Sequence, residues 1–257
     1  MTTSIVKVEN IPVVSNSLSE ALISDWLAFN ADKADATRKT YCKALENFFK
    51  WLGDNDVTTP NRESVIAYRN FLCATKKIST ARLYLTAVKI FARWLASRNL
   101  FPNFADGVKA PALAETGETH AREPLTLDEA KQVLSSFKGK DVKSLRDRLI
   151  MRLMLNCGLR SIEIVRLDAT DVEKRHGKIF LKIWGKGRAG KTARVEISKT
   201  IYGMILDYLN LRGSKRKIGE PMFISTANRN RNARLQTQSI SRLAKRTFRA
   251  CGIDSPT

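Results

Sequence analysis

The run LIMRLMLNCGLRSIEIVRL, residues 149–167, narrows the folds open to this chain more than any other stretch. Its first part is almost wholly apolar, which suits a helix buried on most sides. Gly158 then stands where a helix takes a left-handed residue to stop. A second, short helix is predicted to begin at once, and it plants Arg160 on a buried platform with the guanidinium pointing outward. Glu163, three residues on, shares that face and can hold the guanidinium in a bidentate pair. Guanidinium donors at a helix N-terminus suit an anion, because the free backbone N–H groups favour one as well. The ligand this arrangement favours is phosphate.

Two strand-like segments follow. Ile179, Leu181 and Ile183 alternate within 178–184, and Ala193, Val195 and Ile197 within 192–197. Alternation of this kind marks a half-buried hairpin. Its turn, GKGRAGK, is basic, so Lys186, Arg188 and Lys191 are candidates for a phosphate beside the hairpin. The same letters satisfy G-x-x-x-x-G-K-[ST] from Gly185 to Thr192, the pattern of a P-loop. A P-loop must open a helix, whereas ARVEI after Thr192 reads as a strand. A P-loop NTPase is therefore only a remote alternative.

The charge points the same way as the arginine. The formal net charge is +20, and it is unevenly placed. Residues 1–121 hold 15 Lys+Arg and 12 Asp+Glu, while residues 122–257 hold 30 and 13. A basic excess on one half is the electrostatic footprint of a nucleic-acid partner. Four scattered cysteines and two histidines, His120 and His176, offer no zinc spacing. They predict reduced, half-buried thiols, and no metal or other cofactor is expected. No signal segment or membrane span is legible, so a cytoplasmic protein is expected.

Ahead of this half, residues 1–16 form a short polar lead. Four amphipathic helices are then predicted over 17–102, with Asp35, Thr59–Pro60 and Ser79 starting the second, third and fourth. Their aromatic stripe, with Trp26, Phe48, Tyr68 and Phe91, reads as core. Arg38, Lys39, Lys43, Lys76, Lys77 and Arg82 cluster near helix starts, where they suit sugar-phosphate contacts or a solvated face. Residues 103–123 read as a linker. Residues 124–257 open with a Thr126/Glu129 capping box. After the hairpin come a helix ending near Gly213, a short strand PMFIST, a loop with phosphate candidates Arg229, Arg231 and Arg234, and a last helix capped by Thr237.

The box GLRSIEI, with Val165, Arg166, Leu167 and Asp168 after it, resembles the arginine box of the tyrosine recombinase (phage integrase) family, G-L-R-x-x-E-[LI]. The family's G-K-G turn is matched by Gly185, Lys186 and Gly187, and its lead-in helix by RDRLIMRLMLNCGLR. Its T-x-x-x-Y-x-x-x-L-x-x-F pattern is matched by Thr37, Tyr41, Leu45 and Phe48. The resemblance implies a mainly α fold with a small antiparallel β-sheet. It implies an N-terminal four-helix core-binding (SAM-like) domain, one jaw of a clamp on DNA, joined to an α+β recombinase catalytic domain.

It also implies roles for single residues. Arg160 and Lys186 are the catalytic pair, Glu163 supports the arginine, and Lys186 is the general acid for the leaving 5′ oxygen, with Lys191 as the fallback. Relatives break and rejoin DNA through a 3′-phosphotyrosine, without metal or ATP. The implied partners are double-stranded DNA at recombination sites and other protomers on it. The family's H-x-x-R pair and nucleophilic tyrosine have no match before Thr257, so the catalytic domain is expected to be incomplete. The expectation is a C-terminally shortened site-specific recombinase that binds DNA without cleaving it, monomeric in solution. The alternative is a non-catalytic DNA-binding relative that occupies recombination sites.

Overall fold

A computed structural model describes residues 16–112, 124–185 and 190–253, with side chains from residue 21 onward. The chain divides into two compact units, Met1–Glu118 and Thr119–Thr257.

In the first unit, four helices run in order: α1 (Asn16–Phe29), α2 (Asp35–Asp54), α3 (Arg62–Thr75) and α4 (Ile78–Ser97). Apolar residues at three- and four-residue steps give each helix one buried face. Trp26, Leu45, Phe48, Tyr68, Leu72 and Phe91 meet there, all fully buried. Phe48 lies edge-on to Tyr68 at 4.9 Å between ring centroids.

The helix starts differ from expectation, and local hydrogen bonding explains one of them. α3 begins after Asn61, whose side chain accepts from the Ser64 amide at 2.8 Å while the Ser64 hydroxyl accepts from the Asn61 amide at 2.9 Å. That reciprocal box outcompetes the Thr59–Pro60 start. Asp35 is the first residue of α2 and does not cap it, and α4 starts at Ile78 rather than Ser79. Residues 103–112, expected as linker, pack on this unit. Phe104, Ala105 and Val108 are buried in its core, and Lys89 donates to the Val108 carbonyl at 2.7 Å.

The second unit opens with α5 (Leu127–Ser135), started by the expected Thr126/Glu129 box. α6 (Val142–Cys157) is capped by Asp141, which accepts from the Lys143 and Ser144 amides. It ends at Gly158, which has φ +65°, and the Gly158 and Leu159 amides both return to the Leu153 carbonyl. α7 (Ser161–Val165) follows.

The sheet is antiparallel in the order β1 (Val172–Arg175), β2 (Lys178–Ile183), β3 (Ala193–Ile197). Register pairs Val172 with Leu181 and Leu181 with Val195, so Ile179, Leu181 and Ile183 face the core. β1 has no alternating pattern that would predict it. PMFIST forms no strand and contributes single bridges, Asp168 to Pro221 and Ile224 to Arg234. α8 (Lys199–Leu211) and α9 (Thr237–Ala250) complete the unit, α9 starting at Thr237 with Gln236 in the cap position. Leu149, Leu153, Leu181, Ile205, Tyr208, Phe223 and Ile240 form its core. No helix among the described residues is long and apolar enough to cross a membrane.

Candidate functional site

The site grows out of the end of α6. Leu149, Ile150, Met151 and Leu153 anchor that helix in the core, and the left-handed Gly158 turns the chain by one step. Leu159 stays buried while Arg160, its neighbour, has 67% of its side chain exposed. The brace is Glu163, whose side chain is only 4% exposed. It accepts from the Arg160 amide at 2.8 Å with one oxygen and from Nη1 at 2.9 Å with the other. The expected two-point grip on the guanidinium is therefore corrected. The second oxygen closes the start of α7, because a helix's first amide needs an acceptor. Among the described residues nothing else bonds the Arg160 guanidinium, which leaves most of its fork for an outside acceptor. α7 is five residues long, so the anion preference rests on the guanidinium and not on a helix dipole.

Lys186 and Arg188, expected beside this arginine, lie outside the described residues, as does His120. Thr192 leads into β3 and not into a helix, which removes the P-loop reading.

Lys191 is drawn into an internal cluster. Its ammonium donates to Asp168 Oδ2 at 2.6 Å and to Asp171 Oδ2. Arg234 joins the same cluster from the far side, donating to Asp168 Oδ1 at 2.5 Å. Its Nη1 also reaches the Val165 and Leu167 carbonyls, at 2.9 and 3.0 Å. Burial raises the Asp168 carboxyl's pKa, but hydrogen bonds from Lys191 and Arg234 outweigh that and leave it below the ordinary value. Arg229 and Arg231 stand exposed around a single 3-10 turn, Asn228–Asn230.

In the first unit, Lys39, Lys43 and Lys77 are exposed. Arg38 pairs with Asp35, and Lys76 lies over the Tyr84 ring at 5.5 Å. Arg82 turns onto the Pro111 carbonyl at 2.6 Å.

Sequence reasoning missed a buried ion pair in α6. Arg146 binds the neighbouring Asp147 at 2.7 Å and the Ile224 carbonyl at 2.8 Å, with 8% and 6% of the two side chains exposed. Arg246 of α9 reaches the same aspartate at 3.3 Å. Removing one partner of a buried pair costs about 3–5 kcal/mol, so this pair ties α6 to the chain before and within α9. The signal available was Asp147, the one acidic residue in a helix whose other charged residues, Lys143, Arg146, Arg148 and Arg152, are all basic.

Comparison with known proteins gives a consistent picture. Residues 123–257 match the phage integrase family, and residues 23–101 match the phage integrase N-terminal SAM-like domain. Tyrosine recombinase XerC of Escherichia coli O139:H28 is 25% identical over 214 residues, which is 81% of this chain and 69% of XerC. In structure, the XerH site-specific recombinase in a post-cleavage complex with palindromic difH substrate superposes with TM-score 0.69 at 15% identity, over 95% of this chain and 69% of XerH. A lambda integrase dimer bound to a COC′ core site gives TM-score 0.66 at 15% identity, over 91% of this chain and 82% of that one. At such identities the superpositions speak for the fold. With the arginine box, the helical first unit and the three-stranded sheet on the page, this chain belongs to the phage integrase family, the tyrosine recombinases.

Proposed function

We propose that this chain serves site-specific DNA recombination, gripping duplex DNA with both units and meeting a backbone phosphate with Arg160. The single observation that carries this reading is the exposed guanidinium of Arg160 fixed on a buried carboxylate. A cation held by a buried brace needs no rearrangement to receive an anion, and that preorganisation is what stabilises a phosphate in a transition state. The lopsided positive charge, and the DNA-bound XerH and lambda integrase among its structural neighbours, support the same partner. In this reading Lys186 stands in the place of the general acid that, where a nucleophilic tyrosine is supplied, gives its proton to the leaving 5′ oxygen.

We propose further that a polypeptide of these 257 residues binds DNA without cutting it. All five tyrosines fall within the described residues, and none is presented as a nucleophile. Tyr68 and Tyr208 are fully buried, with burial pushing both hydroxyls above their ordinary pKa. Tyr84 is 8% exposed, and Tyr41 and Tyr202 are half-buried, the latter beneath the Lys174 ammonium. A nucleophile needs an activated, reachable oxygen.

The test is titration of a fluorescein-labelled duplex at several salt concentrations, with a nicked suicide duplex run alongside. Arg160→Ala should weaken binding several-fold and flatten the log–log salt slope by about 0.9, the value of one phosphate. The wild-type chain should leave no covalent protein on the nicked duplex. Unchanged affinity in Arg160→Ala, or a trapped adduct with the wild type, contradicts the corresponding half of the reading.

A further inference from the structure

We infer that Asp168 is a positioning residue for Arg160, acting through Arg234 and Lys191; the inference rests on the phosphate reading of Arg160 above. A five-residue helix cannot hold its own direction, since so short a segment forms too few hydrogen bonds to offset its ordering entropy. α7 is instead fastened at both ends. Glu163 closes the end that carries Arg160. At the other end the Val165 and Leu167 carbonyls, without intrahelical partners where a helix stops, are taken by Arg234 Nη1.

Arg234 is itself aimed by Asp168, whose two oxygens serve two masters: Oδ1 takes Arg234 at 2.5 Å and Oδ2 takes Lys191 at 2.6 Å. Lys191 stands just before β3, so one carboxylate fixes the arginine helix and the start of that strand in one frame. Asp171 completes the cluster. Its Oδ2 receives the Asp168 amide at 2.7 Å and the Lys191 ammonium, which locks the short turn that carries Asp168. Two carboxylates balance two cations here, and Lys191 is only 20% exposed. The charges of Lys191 and of Arg234, whose side chain is 38% exposed, are matched by carboxylates of the same unit, and their task is bracing. A displacement of about 1 Å in a phosphate donor is enough to weaken its function many-fold.

The test uses the whole chain and the labelled duplex, with Asp168→Asn made alone and on top of Arg160→Ala. Removing a negative charge from so basic a chain favours DNA by plain electrostatics. A positioning role has the opposite sign: Asp168→Asn should weaken binding several-fold and flatten the salt slope by up to about 0.9. In the Arg160→Ala background it should leave affinity unchanged or slightly tighter. Should Asp168→Asn not fold, as judged by its melting transition, Lys191→Gln carries the same dependence on Arg160, and Lys191→Arg should restore binding. Tighter binding in both backgrounds, or an equal loss in both, overturns the positioning role. If Arg160→Ala alone changes nothing, the phosphate reading fails first and takes this one with it.

Discussion

At the scale of single residues, the pair that could be read in advance is the pair that sits close in the chain. Arg160 and Glu163 are three residues apart, and helical geometry alone puts them on one face. Asp168 and Arg234 are 66 residues apart, and nothing local announces that they meet. Both cations of that cluster read in the sequence as phosphate candidates, and their pairing with Asp168 is not legible there, because a basic side chain carries no mark of whether it has an internal counter-charge. The cluster has a pH signature. Lys191 and Arg234 hold the Asp168 carboxyl below its ordinary value despite burial, so its contribution to stability is present above the unfolded-state pKa of about 4. It is lost as pH falls through the lower folded value. Melting temperatures taken from pH 6 down to pH 2 should fall more steeply for the wild type than for Asp168→Asn. Parallel curves for the two chains would mean that the carboxylate does not titrate against these cations.

At the scale of elements, type was legible and boundaries were decided by caps. The alternation in β2 fixed that strand and its inward face, while β1, with VEKR half-exposed to exposed throughout, has no pattern of its own and exists by pairing with β2. Two glycines separate conformational need from habit. Gly158 has φ +65°, and a Cβ there would meet nothing within 4 Å, so the only cost of a side chain is backbone strain. Gly203 lies inside α8 with helical geometry and equally open space. Gly158→Ala should therefore destabilise the chain by about 1–2 kcal/mol, and Gly203→Ala should stabilise it by about 0.5–1 kcal/mol. Urea midpoints of the two variants must move in opposite directions. If both move the same way, the left-handed turn is not what ends α6.

At the scale of the whole molecule, the uneven charge makes a quantitative demand on DNA binding. The +17 carried by residues 122–257, from 30 Lys+Arg and 13 Asp+Glu, should release many counterions, so log affinity should fall linearly and steeply with log salt. Residues 122–257 without the first unit, if soluble as a fragment, should retain most of that slope, because residues 1–121 carry only +3 from 15 and 12. A flat salt response of the full chain would remove DNA as the partner. What the order of residues determined by itself is the local grammar. It set which segments are helix or strand, which faces are apolar, the left-handed stop at Gly158, and an arginine and glutamate on one side of the next turn, since each depends on neighbours within about one helical turn or one strand pair. What only the tertiary structure decided is the fate of the charges. Arg146, Lys191 and Arg234 turn inward to Asp147, Asp168 and Asp171, while Arg160 turns outward. The physical reason is that a cation's solvent and partner are set by segments brought together in folding, and the energy of a buried charge depends on those groups and not on its place in the chain.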